Sequence, residues 1–190
     1  MLQLRPATPS DLTSAADTLS LAFANYSWTD WTVAADRHVE RIREIQRLCL
    51  EHIALPHGLV YVSDDITGVI ALTGPGAQQH ISSGIWSQIR STTGDAPADD
   101  TDLSLPQSPV TESWELATIG VHPKHRGNGL GSALIAHALN VLDTATGERT
   151  PVHLETSDPR NVDLYARSGF VTHAETRLRN GPTVWSMQRE

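Results

Sequence analysis

A chain of 190 residues with 39% apolar and 19% charged side chains is long enough to bury a core as one domain over 1–190, and its single cysteine excludes an internal disulfide framework. A formal net charge of −8 argues against nucleic-acid binding, which needs cations along a phosphate backbone, and agrees better with a cationic small substrate. No apolar run approaches the roughly 20 residues of a bilayer span and the first residues lack a signal-peptide core, so a cytoplasmic protein with no membrane partner is expected.

Leu2 to Arg5 alternate as a short strand does, before Pro6 and Pro9. From Ser10 as N-cap, Leu12, Ala15, Ala16, Leu19, Ala22 and Phe23 recur at helical spacing and predict a first helix. An aromatic loop over 25–31 leads to a second helix over 35–54. There Val39, Ile42, Ile45, Cys49 and Ile53 form an apolar stripe, and Glu40, Arg43, Glu44 and Arg47 a solvated face whose spacing allows ion pairs. Cys49 on that stripe reads as a buried small hydrophobe rather than a nucleophile. Residues 59–62 and 69–72, separated by Asp64, Asp65 and Gly68, predict a hairpin. Composition then shifts: 74–110 is rich in Gly, Ser, Pro, Asp and Gln, with one expected helix over 77–90, and reads as a lid-forming or disordered insert.

Beyond the insert the spacing predicts a strand over 114–121 and a helix over 131–143 that buries Leu134, Ile135, Ala138, Val141 and Leu142. A strand over 152–156 and a short helix over 161–167, stopped by Gly169, follow. Residues 170–178 and 183–188 close the chain as a hairpin around Asn180-Gly181-Pro182. Helices and strands alternate without a repeat, which places the chain in the α/β class.

Between the strand at 114–121 and the following helix lies VHPKHRGNGLGS, a glycine-rich turn entering a helix N-terminus. Free backbone N–H groups and the helix dipole make such a turn an anion site. A Walker loop is excluded because no lysine follows the glycines, and a Rossmann fingerprint fits poorly because Ser132 stands where its third glycine belongs. What remains is Arg126-Gly127-Asn128-Gly129-Leu130-Gly131 after a strand ending Val-x-Pro. Far downstream stands Asn161-Val162-Asp163-Leu164-Tyr165-Ala166-Arg167-Ser168-Gly169-Phe170. His122-x-x-His125 lacks a third ligand, so no metal is expected.

These two motifs, V-x-P-x-x-[RQ]-G-x-G-x-[GA] and N-x-x-[LF]-Y-x-x-x-G-F, resemble those of the GNAT-type acetyl-CoA N-acyltransferases. The resemblance implies a twisted mixed sheet of about six to seven strands flanked by four to five helices, with a V-shaped splay between the strands at 114–121 and 152–156. It implies acetyl-CoA as cosubstrate, its pyrophosphate held by the backbone of Gly127, Asn128, Gly129, Leu130, Gly131 and Ser132, with Arg126 adding charge. Ile119, Gly120 and Val121 would meet the pantetheine arm and supply an oxyanion donor, and Asn161 would face the cofactor. Glycine fits the cradle on physical grounds too, since a missing Cβ lets the backbone approach phosphates.

The stretches at 22–26, 36–41, 116–121, 154–161 and 181–187 further resemble the puromycin N-acetyltransferases, whereas 75–110 does not. That resemblance implies a small-molecule amine as acceptor, with Tyr26 against it; a protein N-terminus or a polyamine are alternative acceptors, and a noncatalytic acyl-CoA-binding module is the alternative from another class. Tyr165, protonated at neutral pH and one helical turn from Asn161, is the candidate acid for the departing thiolate. Glu155 is the candidate base, with Glu115 or water competing. Trp28, Trp31 and Trp86 join Tyr26 as candidate stacking surfaces. Either a monomer or a homodimer is expected.

Overall fold

The structure is a computed structural model that describes residues 3–98 and 104–190. Leu2 of the expected first strand and residues 99–103 of the expected insert lie outside the described residues. Seven strands form one sheet in the order β1-β2-β3-β4-β5-β7-β6. They are β1 (Leu4–Pro6), β2 (Gly58–Ser63), β3 (Gly68–Thr73), β4 (Trp114–Val121), β5 (Val152–Thr156), β6 (Val171–Arg177) and β7 (Thr183–Arg189). Every neighbouring pair is antiparallel except β4 and β5.

The parallel pair is short. Trp114 opposes Val152 and Glu115 opposes His153, and no further pairing joins the two strands. Beyond Glu115 the strands diverge, which produces the V-shaped splay that the sequence resemblance implies. A second irregularity sits on the other side of β4: Ala71 opposes Thr118 but Leu72 opposes Leu116, so Ala117 is an extra residue with no partner on β3. The bulge resets the alternation of the strand. Trp114 and Leu116 face the larger core, and so do Ile119 and Val121, three residues on rather than two.

Helices cover both faces of the sheet. On one side α5 (Leu130–Thr146) buries Leu130, Leu134, Ile135, Ala138, Leu139 and Leu142 against Ile70, Leu72, Leu116, Val152, Leu154 and Met187. The short α6 (Pro159–Ala166) adds Tyr165 to this core. On the opposite side α1 (Leu12–Phe23) and the turn that follows α3 (His38–Cys49) pack Leu12, Ala15, Leu19 and Leu50 against Val60, Val62, Val69 and Ala71. Central β3 is buried along its whole length because both layers press on it. Removing one such side chain, as in Leu134→Ala, typically costs about 2–5 kcal/mol.

Several local expectations need correction. The first helix is entered through a 3-10 turn at Pro9–Asp11, and the entry residue is Thr8 rather than Ser10: the Thr8 N–H and hydroxyl both donate to Asp11 at 2.8 Å. The Asp11 carboxylate also accepts two bonds from Arg5, which hold its pKa well below the usual range. The aromatic loop contains a helix, α2 (Ser27–Thr32), which brings the α-helices longer than one turn to six among the described residues. The helix expected from 35 begins three residues later, at His38, and its last part, Leu50–Ala54, widens into a π-helical turn. Val39 of its supposed apolar stripe is 37% exposed. Arg47 pairs with Glu44 and Glu51 as the spacing allows, and Arg43 reaches Asp17 on α1 instead. In the insert, a 3-10 turn at Ala77–His80 precedes α4 (Ser83–Thr93), which Ser82 caps. Cys49 packs beside Leu48, Ile53 and Ile89, and burial pushes its thiol up to about 11.

Candidate active site

The divergence of β4 from β5 opens a gap across the middle of the sheet, and three cavities follow one another along it. The first, about 400 Å³, is lined by the end of α1, the second half of β4, the glycine-rich turn and α6. Its floor is built for an anion. Gly127 and Gly129 have φ of 83° and 78°, in the left-handed region that disfavours side chains, and a Cβ on either would meet nothing within 4 Å. The bare backbone therefore faces open space, directly before the first N–H groups of α5. Gly131 and Ser132 in that first turn also line the cavity, as do Leu130, Ile119, Gly120 and Val121.

Arg126 lines this groove, but its guanidinium is engaged with protein. It donates to the Ala22 carbonyl at 2.7 Å and the Val121 carbonyl at 3.3 Å, tying the end of α1 to the end of β4. Asn128 is exposed and is not among the lining residues, so the motif places it on the outer side of the turn. Arg160, which sequence reasoning missed, lines the groove from α6 and is held by Asp158 at 2.7 Å. Its signal was present in the resembling stretch at 154–161. His122 and His125 pack edge to face with ring centres 5.6 Å apart. Among the described residues no group of three or more His, Cys, Asp or Glu is placed to hold a metal ion.

The second cavity, about 230 Å³, lies on the β5 side of the groove, and the two share Phe23, Tyr26, Ile119, Asn161 and Tyr165. Asn161 and Tyr165, four residues apart on α6, thus stand at the junction, as one helical turn requires. Tyr165 is 4% exposed; burial raises its pKa above the usual phenol value, and the neighbouring Tyr26 adds to the rise. Its hydroxyl is therefore protonated throughout the neutral range. Tyr26 presents its ring to both cavities while its hydroxyl accepts from the Ser157 N–H at 2.7 Å and lies 3.0 Å from Thr156 Oγ1. Asn161 Nδ2 donates to the same Thr156 oxygen at 3.3 Å, so the chain before α2 is stitched to the turn between β5 and α6. Of the other aromatics, Trp28 lines the second cavity. Trp31 packs instead with Leu178 and Val184, and Trp86 with Leu48, Ile53 and Ile89.

Glu115 and Glu155 both line the second cavity, with Gln46, Thr118 and Val184, which no local pattern announced. Burial raises the pKa of Glu115, opposed in part by a 3.3 Å bond from Gln78. Glu155 stands at an accessible rim within the recess, and desolvation, with the charge of Glu115 second, pushes it up to about 7. A third cavity, about 470 Å³, continues past these two carboxylates between residues 73–79 and 105–108. His153, on its wall, is buried beside His173 with ring nitrogens 3.2 Å apart, and burial followed by the charge of His173 pushes it down to about 4.

Comparison with known proteins agrees with this architecture. Residues 109–190 match the family model of the acetyltransferase (GNAT) domain. An acetyltransferase of Corynebacterium glutamicum, described as a histone acetyltransferase HPA2 and related acetyltransferase, superposes with a TM-score of 0.76 at 25% identity, covering 99% of this chain and 95% of that one. An acetyltransferase of Salmonella typhimurium, solved with its cofactor acetyl-CoA, shares the fold at a TM-score of 0.56 and 17% identity, over 100% of this chain and 94% of that one. An uncharacterised N-acetyltransferase of Schizosaccharomyces pombe is 26% identical over 150 residues, 70% of this chain; the chain spans 60% of that relative. The fold and the groove together define a GNAT acetyltransferase architecture. Residues 109–190 thus carry the match to the GNAT acetyltransferase domain, and the chain as a whole has the fold of these acetyltransferases. A particular kinship with puromycin N-acetyltransferases does not emerge from these relatives.

Proposed function

We propose that the protein transfers an acetyl group from acetyl-CoA directly to the amine of a small molecule. The observation that carries this reading is the position of Asn161 and Tyr165 on the wall common to an anion-cradling groove and a carboxylate-lined pocket. The residues present fit acetyl-CoA: the backbone from Gly127 to Ser132, open at both left-handed glycines, would hold the pyrophosphate, and Ile119, Gly120 and Val121 line the path toward the gap. When bound, acetyl-CoA supplies the activated acetyl thioester.

The chain's own groups divide the remaining work. On the β5 side of β4, past Glu115, backbone groups have no strand partner on β5, which leaves N–H donors in the Ile119–Val121 stretch to meet charge developing on a carbonyl oxygen. Glu155, with a pKa of about 7, accepts the proton of an acceptor ammonium at neutral pH. An α-amino acceptor, with a pKa near 7.7–8, gives up that proton more easily than a lysine side chain near 10.4. Tyr165 holds its proton at the junction, ready for the departing thiolate sulfur. Phe23, Tyr26 and Trp28 offer aromatic surface to the body of the acceptor, which agrees with the puromycin-like aminonucleoside that the sequence resemblance implies. No helix among the described residues is long and apolar enough to cross a membrane, and we take the site of action to be the cytoplasm.

The test is thiol release from acetyl-CoA against a panel of amines that includes puromycin, polyamines and peptides with free N-termini. Turnover of a small amine supports the proposal. Acetyl-CoA binding without turnover on any amine defeats it in favour of a noncatalytic module.

A further inference from the structure

The acceptor pocket of the proposed reaction does not end where the reacting amine would sit. It continues, past Glu115 and Glu155, into the third cavity, so these two carboxylates line both sides of the passage. Neither forms an ion pair among the described residues, and no Lys or Arg lines either cavity. His153 stays neutral near pH 7 because its pKa lies far below. Among the described residues only Gln78, a neutral donor, reaches Glu115. Thr118 in the same pocket has an Oγ1 atom sealed from solvent with no hydrogen-bond partner among the described residues. A carboxylate half withdrawn from water, as Glu115 is, with no cationic partner is costly, and a cation beside it relieves that cost.

We infer that the acceptor is an elongated amine bearing a second positive charge, which Glu115 holds at the passage while the reacting nitrogen reaches Glu155 and the junction at Tyr165. The inference rests on the proposed acetyl transfer and adds a substrate class to it. Along β4, Glu115 lies four residues before Ile119, on the order of 10 Å of strand. The two nitrogens are thus separated by a chain of several bonds, and the remaining body of the acceptor occupies the outer cavity between Gly74–Gln79 and Leu105–Ser108. Apart from Gly74, that segment falls within 75–110, the part of the sequence that does not resemble the puromycin N-acetyltransferases. An uncharged acceptor body would leave Glu115 unpaired.

The experiment compares kcat/KM for α,ω-diamines of increasing length with n-alkylamines of matched length and with puromycin, whose amino group is its one cation at neutral pH. A diamine advantage of roughly tenfold or more at an optimum length is expected, as a charge-assisted contact in a recess provides. In Glu115→Gln the ratio of diamine to alkylamine rates should fall by several-fold. A variant that merely folds poorly lowers both rates together and leaves the ratio intact, which counts against the inference. Puromycin or alkylamines turned over as well as the best diamine would overturn it while leaving acetyl transfer standing. Turnover of none of these amines would overturn both.

Discussion

The raised pKa of Glu155 makes a quantitative demand on the pH profile. With a value of about 7, roughly half of the side chains are ionised at pH 7, about a tenth at pH 6 and about nine-tenths at pH 8. A carboxylate lifted above its usual range is protonated below that value, so it serves as a base only above it. For an acceptor whose ammonium has a pKa near 8, kcat/KM should therefore fall about fivefold between pH 7 and pH 6, and decline again above pH 8 as the ammonium form is lost. In Glu155→Gln the acidic limb should vanish: rates would be lower throughout and rise only with the neutral amine, through its own pKa near 8. Glu115→Gln removes one of the two causes of the shift and should move the acidic limb downward. His153, near 4, and Tyr165, pushed upward, are unsuited to produce this limb, which leaves Glu115, also raised by burial, as the competing source. Steady-state thiol release from pH 5.5 to 9, in buffers of constant ionic strength, checks the prediction. An acidic limb near 7 that survives unchanged in Glu155→Gln would refute Glu155 as the base.

Tyr165→Phe should lower kcat about tenfold or more with little change in acetyl-CoA affinity, measured by turnover and calorimetry in parallel; an unchanged kcat removes the acid role. Gly129→Ala places a methyl group over the open cradle and strains a φ of 78°, so acetyl-CoA affinity should drop while the melting temperature falls by only a few degrees, about 1 kcal/mol. Because folding raises the pKa of Glu155, its ionised form is disfavoured in the native state, and the stability present below the unfolded value near 4.5 is lost as pH rises toward about 7. Glu155→Gln should accordingly raise the melting temperature at pH 8 and leave it nearly unchanged at pH 4, by thermal denaturation in both buffers.

Local physics explains which parts of the molecule were readable from residues alone. The strand at 114–121 and the helix after it announce themselves through apolar spacing and through glycines that only a tight, open turn needs. The Asn161/Tyr165 spacing encodes its own geometry, since four residues on a helix share a face. By contrast α2 was hidden because Trp28 and Trp31 sit three apart in a stretch too short for a periodic signal. The entry to α1 slipped from Ser10 to Thr8 because the deciding group is the carboxylate of Asp11, which Arg5 holds in place from β1. Asn128 belongs to the motif in sequence yet points away from the groove lining. The acceptor pocket was least legible: Gln46, Thr118, Glu155 and Val184 meet only after the sheet has closed, and the pairing of Glu115 with His153 that brings the carboxylates near each other is a fact of register.

The unpaired Ala117 divides β4 into two lengths that keep time separately. Upstream, Glu115 and Leu116 pair with Thr73 and Leu72 of β3 while Trp114 and Glu115 also pair with β5; downstream, Thr118 to Val121 pair with β3 alone, beside α1 and the glycine turn. A shift in the first length can be absorbed at Ala117 without turning Ile119 and Val121 away from the groove. Deleting Ala117 would couple the two lengths, exchanging the faces of one half or the other. A change on the Glu115 side of the strand can therefore leave the stretch beside the glycine turn where it is.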